Sequence, residues 1–212
     1  LIDESVGFMG AHPIVGSSVS TAVGSALALK LSGSPQVAVA FMGDAVQETG
    51  QFWEAISFAG LHKLPLLLVL EDNQYATAIH RDQRHPLKSI QAVRSFNVSL
   101  LSATSLLGYY SDTQRLLGLS PELESCLPAV LHAHTYRFQA HVGVRQDWDR
   151  GFRSREEVET YRDRDPLEEL RGHIPEVRGI RIEAETEVQV TEAFNLAEKA
   201  SYPSEPSLAY AV

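Results

Sequence analysis

The chain has 212 residues, 44% apolar and 21% charged, ordinary for a globular protein with one substantial core. A formal charge of −9 excludes the basic face that nucleic-acid binding needs, and the short basic run HRDQRHPLK, from His80 to Lys88, does not reverse that. No apolar run approaches the ~20 residues of a membrane span, so neither nucleic acid nor membrane is an expected partner. The one cysteine, Cys126, cannot form an internal disulfide; it fits a reducing compartment and reads as a small buried apolar residue. No signal peptide precedes Leu1, and the chain does not begin with Met; the expectation is a cytoplasmic protein with residues missing upstream.

Small and apolar residues recur at helical spacing from Ser20 to Leu31, among them Ala22, Val23, Ala26 and Leu27. Ser34-Pro35 marks a turn, and Val37 to Met42 then reads as a continuous buried strand. Gln51 to Leu61 is an amphipathic helix that places Phe52, Trp53, Ile56 and Ala59 in the core. Leu66 to Leu70 is the next buried strand. Phe96 to Leu101 and Ala129 to Thr135 are further expected strands, whereas residues 103–127 give a poor helical signal.

Two helix starts follow. Ser154-Arg155-Glu156-Glu157 is a capping box, and Asp165-Pro166-Leu167-Glu168 joins an N-cap to Pro at the first helical position. A last helix is expected from Ala184 to Ala200, with Val190, Ala193, Phe194 and Ala197 on one stripe, before the irregular YPSEPS tail. Apolar strands separated by helices predict an α/β fold: an open parallel sheet with helices on both faces. Residues 1–150 would form that domain, and residues 151–212 a helical C-terminal extension of it.

Ligands of an open parallel sheet sit beyond the carboxyl ends of its strands. Asp44 and Asn73 both fall there, 29 positions apart, a spacing that fits one strand–helix–strand unit. A carboxylate and a carboxamide are hard oxygen donors, suited to Mg²⁺ or Ca²⁺, and Mg²⁺ held by few protein groups takes further oxygens from phosphates and water. Two readings stay open on spacing alone: a metal–diphosphate site, or a helix cap at Asp44 with a turn at Asn73.

The stretch GDAVQETGQFWEAISFAGLHKLPLLLVLEDNQYAT resembles the thiamine-diphosphate signature, Gly-Asp-Gly followed after a spacer by Asn-Asn. Its form is that of the alpha subunits of 2-oxo acid dehydrogenases, the decarboxylating component of the pyruvate, branched-chain and acetoin enzymes. Three stretches agree with that family: GAHPIVGSSVSTAVGSALALK, TYRFQAHV and FRSREEVETYRDRDPLEEL. Residues 103–127 align badly.

The resemblance implies a thiamine-diphosphate-binding fold with thiamine diphosphate and Mg²⁺ as cofactors. Asp44 and Asn73 would hold the metal through side chains and Tyr75 through its backbone carbonyl. Ala45 and Val46 would offer N–H groups to the diphosphate, Pro13 and Val15 would line the aminopyrimidine, and His141 would be catalytic beside the diphosphate. Departures from the pattern are Ala45 for Gly, Asp72 for the first Asn, Glu48 for Asn, and Ala140 and Val142 around His141. Asp72 points off the strand face opposite Asn73, and its loss is expected to matter little for cofactor binding.

The activity implied is oxidative decarboxylation of a 2-oxo acid with transfer to an acyl acceptor, such as a lipoyl-bearing acyltransferase. A beta-type subunit would complete the enzyme, most simply as two alpha-type and two beta-type chains. A eukaryotic version would work in the mitochondrial matrix. The alternatives are a carboligase or transketolase-like subunit and a cofactor-poor scaffold.

His12 reads as structural. His132 and His134 alternate along one expected strand, so one face can hold both; metal binding there is a minor alternative. Arg153, Arg155, Arg162 and Arg164 read as a solvated helix face or partner contacts.

Overall fold

A computed structural model describes residues 2–85, 89–118 and 126–202. Helix α1, Ser17–Leu31, leads into strand β1, Ala38–Gly43; helix α2, Gly50–His62, returns the chain to strand β2, Leu66–Asp72. The two-residue strands β3 (Tyr75–Ala76) and β4 (Ile79–His80) form a small antiparallel hairpin. Strand β5, Ser99–Ala103, helix α3, Leu106–Leu117, and strand β6, Ala129–His134, complete the sheet. Its order is β1-β2-β6-β5, all parallel. The expected α/β architecture, a parallel sheet flanked by helices with a long C-terminal helix, is the one observed.

Side-chain alternation divides the core into two layers. Leu66, Leu68 and Leu70 of β2 face α1 and α2 together with Ala38, Ala40, Met42, Leu100 and Val130. Leu67 and Leu131 face the other way, against Leu116 of α3. Strand β1 was expected to be buried on both faces and is covered on one. Val39 and Phe41 are exposed, because α3 packs over β5 and β6 and leaves the outer face of this edge strand bare. Where α2 meets the segment Ser89–Phe96, the backbones touch: a Cβ at Gly60 would stand 1.7 Å from the Phe96 carbonyl oxygen. Only glycine permits that approach.

The expected strand Phe96–Leu101 begins later, at Ser99. Ser89–Phe96 is a 3-10 helix, ended by Asn97 in the left-handed region (φ 58°), which asparagine tolerates better than most residues. The weak stretch 103–127 contains α3, capped by Ser105, whose Oγ accepts from Gly108 N, and ended by Gly118 at φ 65°. Its signal is poor because only Leu116 is deeply buried.

Both helix starts read from caps are present. Ser154 Oγ accepts from Glu157 N ahead of α4, Arg155–Arg162; Asp165 accepts from Leu167 N ahead of α5, Pro166–Arg171. Helix α6 runs Glu176–Lys199, eight residues earlier than expected, and its Val190 and Phe194 are exposed. The chain divides into two compact units, Leu1–Asp163 and Arg164–Val212. Among the described residues no helix is long and apolar enough to cross a membrane.

Candidate functional site

The parallel register pairs Gly43 with Glu71, so the residues after β1 and β2 emerge side by side at the carboxyl edge of the sheet. Asp44 opens a 3-10 turn, Asp44–Glu48, and is 2% exposed. A carboxylate this deep needs a counter-charge, and Arg84 supplies it, pairing with both Asp44 and Glu48. Asn73 Oδ1 accepts from Tyr75 N at 3.0 Å, closing an Asx turn. Ala45 and Val46 begin the turn after β1, where opening N–H groups lack partners within the turn.

Pro13 and Val15 are exposed just ahead of α1. Gly16, at φ 94°, ties them to the same end of the sheet: its Cβ would lie 3.1 Å from both Thr49 Oγ1 and Gln51 Oε1 at the start of α2. Gln51 Nε2 also donates to Ser20 Oγ at 2.7 Å. His141 is exposed in the irregular segment after β6, where Ala140 N donates to Arg145 O at 2.8 Å. The structure thus gathers Asp44, Ala45, Val46, Asn73 and Tyr75 at two adjacent strand ends, sets Pro13 and Val15 just ahead of the Gly16 that meets the start of α2, and leaves His141 on a loop.

That loop is anchored from below. Arg153, expected on a solvated face, is buried: its Nε and one terminal nitrogen donate to Asp147 Oδ1 at 2.8 and 2.6 Å, and it also donates to the Gln139 carbonyl. Its guanidinium lies 5.6 Å from the Tyr75 ring centroid and 5.1 Å from that of Tyr136. Arg155, Arg162 and Arg164 are exposed as expected. Tyr75 and Tyr136 both donate to Glu157, at 3.0 and 2.8 Å. Burial first, then that carboxylate, pushes the Tyr75 phenol up to about 12 and the Tyr136 phenol higher still. Both stay protonated near neutrality and act as fixed donors.

Asp72, on the opposite face from Asn73, is held most densely of the strand-end residues. It is 2% exposed and densely bonded: Oδ1 accepts from Gln74 N at 2.9 Å, while Oδ2 meets His132 Nε2 at 2.8 Å and pairs with Arg81. Burial alone would raise its pKa; the His132 hydrogen bond, Arg81 and the Gln74 amide outweigh that and hold it at about 2. Even numbering along β2 turns Asp72 toward the α1–α2 layer, with Leu70 and Leu68 beneath it. Near it lies a cavity of about 300 Å³, lined in part by Gln47, Arg81, Ser102, His132 and His134.

The arginine partners were invisible to motif reading. Their signal was the basic run from His80, whose Arg81 and Arg84 neutralise the two buried strand-end carboxylates. The donor types at Asp44, Asn73 and the Tyr75 carbonyl fit Mg²⁺, all being hard oxygens. A buried carboxylate draws a cation, and in this structure Arg84 fills that place.

Residues 2–102 match the family described as dehydrogenase E1 component. The pyruvate dehydrogenase E1 component subunit alpha of Rickettsia bellii is 29% identical over 220 residues, covering 98% of this chain and 65% of that protein. The protein of the same name from Zymomonas mobilis is 31% identical over 214 residues, covering 95% of this chain and 58% of that protein. The chain therefore spans less than two thirds of the length of either relative. With a family match over residues 2–102 and relatives that run along most of its sequence, the chain is similar to the dehydrogenase E1 component and is pyruvate dehydrogenase E1 alpha-like.

Proposed function

We propose that this chain is the alpha-type part of a thiamine-diphosphate-dependent 2-oxo acid dehydrogenase. The observation that carries the reading is the Gly43–Glu71 register, which sets Asp44 and Asn73 at neighbouring strand ends. Asp44 and Asn73 hold Mg²⁺ through side chains and Tyr75 holds it through its carbonyl; Ala45 and Val46 direct N–H groups to the diphosphate. Pro13 and Val15 line the aminopyrimidine. When bound, thiamine diphosphate supplies the carbanion that adds to the 2-oxo carbon and lets carbon dioxide leave. His141 orients the substrate carboxylate or moves a proton at a ring nitrogen. A lipoyl-bearing acyltransferase would be the acceptor: its disulfide would take up the two electrons, one sulfur carrying the acyl group as a thioester and the other leaving as a thiol.

A beta-type partner supplies the glutamate that the aminopyrimidine needs. Supporting this division, Glu48 is engaged by Arg84 at the metal end. Gly24, in mid-helix on α1, is exposed with open space around it, as close packing against another chain requires.

A second reading, a scaffold subunit without cofactor, is favoured by Arg84 on Asp44 and by the Tyr75 N–H on Asn73, which satisfy the site internally. Calorimetric titration with thiamine diphosphate and Mg²⁺ separates the two. Saturable, Mg²⁺-dependent binding that falls at least tenfold in Asp44→Ala, about 1.4 kcal/mol, supports the enzyme. Absence of binding, or affinity indifferent to Asp44→Ala, removes the enzyme reading of this site.

A further inference from the structure

We propose that Asp72, His132 and His134 form a site for a first-row divalent transition metal, zinc foremost, separate from the Mg²⁺ position at Asp44. The register builds it. In the β2–β6 ladder Leu70 pairs with His132 and Asp72 with His134, and in the β5–β6 ladder Ser102 pairs with His132. Directly paired residues share a face, and alternate residues of one strand do too. All four side chains therefore leave the same face of the sheet at its carboxyl edge.

One ligand atom from each of Asp72, His132 and His134 lies within 4.8 Å of the other two. Ligand atoms around zinc, with bonds of ~2.0–2.1 Å, stand roughly 3.3 Å apart. The Asp72 Oδ2–His132 Nε2 pair, at 2.8 Å, is nearly at that spacing already. His134 Nε2 is held by Ser102 Oγ at 2.8 Å and reaches the others by giving up that single hydroxyl. The two imidazole rings are 4.2 Å apart, centroid to centroid.

Two imidazoles and one carboxylate form a borderline donor set that selects zinc and its neighbours over Mg²⁺. The remaining coordination position opens on the cavity of about 300 Å³, which has room for water ligands. Arg81 shares the Asp72 carboxylate, and its charge opposes an incoming dication. That repulsion keeps affinity below the level of closed structural zinc sites.

The test is titration of the metal-free 212-residue chain with Zn²⁺ against a chromophoric chelator, without Mg²⁺. One Zn²⁺ per chain should bind, at least tenfold more weakly in His134→Ala, with no change in Asp44→Ala and a several-fold gain in Arg81→Gln. X-ray absorption at the zinc edge of the unaltered chain should read two imidazole ligands, a measurement that does not depend on any variant folding. Lack of stoichiometric binding, equal binding by His134→Ala, loss in Asp44→Ala, or fewer than two imidazoles overturns the proposal.

Discussion

Asp44 and Asp72 stand at the ends of neighbouring strands, each 2% exposed and each paired with an arginine from the segment after the β3–β4 hairpin. Their surroundings then diverge. Asp72 adds a histidine and a backbone amide to its arginine, so both of its oxygens are engaged. Asp44 is held by an arginine that it shares with Glu48, which is exposed and able to keep that cation alone. The contrast teaches that equal burial does not mean equal commitment. An acid bound from several directions is fixed in place whatever cation joins it; one bound by a shared side chain can exchange its counter-ion.

The largest effect should come from the committed acid. Asp72→Ala leaves His132 and Arg81 facing a buried gap and should cost about 3 kcal/mol in chemical denaturation; Asp44→Ala should cost less than half of that. Equal losses would break the comparison. Its pH signature follows from the depressed pKa. The Asp72 contribution is complete above the ordinary value of 3.8 and is lost as pH falls through about 2, because the unfolded chain takes up the proton first. The stability advantage over Asp72→Asn should thus shrink by about 2 kcal/mol across that window. A pH-independent difference would show that shape, not charge, holds the carboxylate.

Next in size is Arg84→Gln. It strips Asp44 of its counter-charge and should lower stability by about 1–2 kcal/mol. If Asp44 can exchange cations, Mg²⁺ with thiamine diphosphate should restore most of that loss by binding the folded state. Persistent destabilisation at saturating Mg²⁺ would mean Arg84 is as structural as Arg81. The smallest effect on the fold should be that of His141→Ala, within about 0.5 kcal/mol, since the side chain is exposed. In the proposed assembly with a beta-type chain, its removal should lower turnover far more than cofactor affinity; equal losses of both would recast it as a phosphate ligand.

The sheet was legible because its strands are apolar runs bounded by turn residues, and α4 and α5 because Ser154 and Asp165 announce them. Helix α3 was not, since its contact with the sheet is narrow and its caps, Ser105 and Gly118, are common loop residues. At the site, motif spacing singled out Asp44 and Asn73, which emerge at adjacent strand ends, but gave no sign of the bonds that hold Asp72. Strand alternation turns its side chain away from Asn73, yet the burial on that side comes from Arg81, beyond the hairpin, and from β6, sixty residues on in sequence. Arg153 failed for the same reason: its partners, Asp147 and the Gln139 carbonyl, belong to a loop without periodicity. His132 and His134 were recognised as sharing a face, but alternation alone could not say that β2 would bring Asp72 to them.

The close approach at Gly60 sets a limit on how far this sequence can wander. At identities of 29–31% to its relatives, most positions have changed, and a helix surface ordinarily absorbs such drift by small shifts of side chains. Here the atom in the way is the Phe96 carbonyl oxygen, which cannot rotate aside. Any side chain at position 60 would have to push apart α2 and the segment that carries Ser89 and Ile90 to the cavity wall. A residue remote from both proposed metal positions therefore restricts which descendants of this chain can keep either.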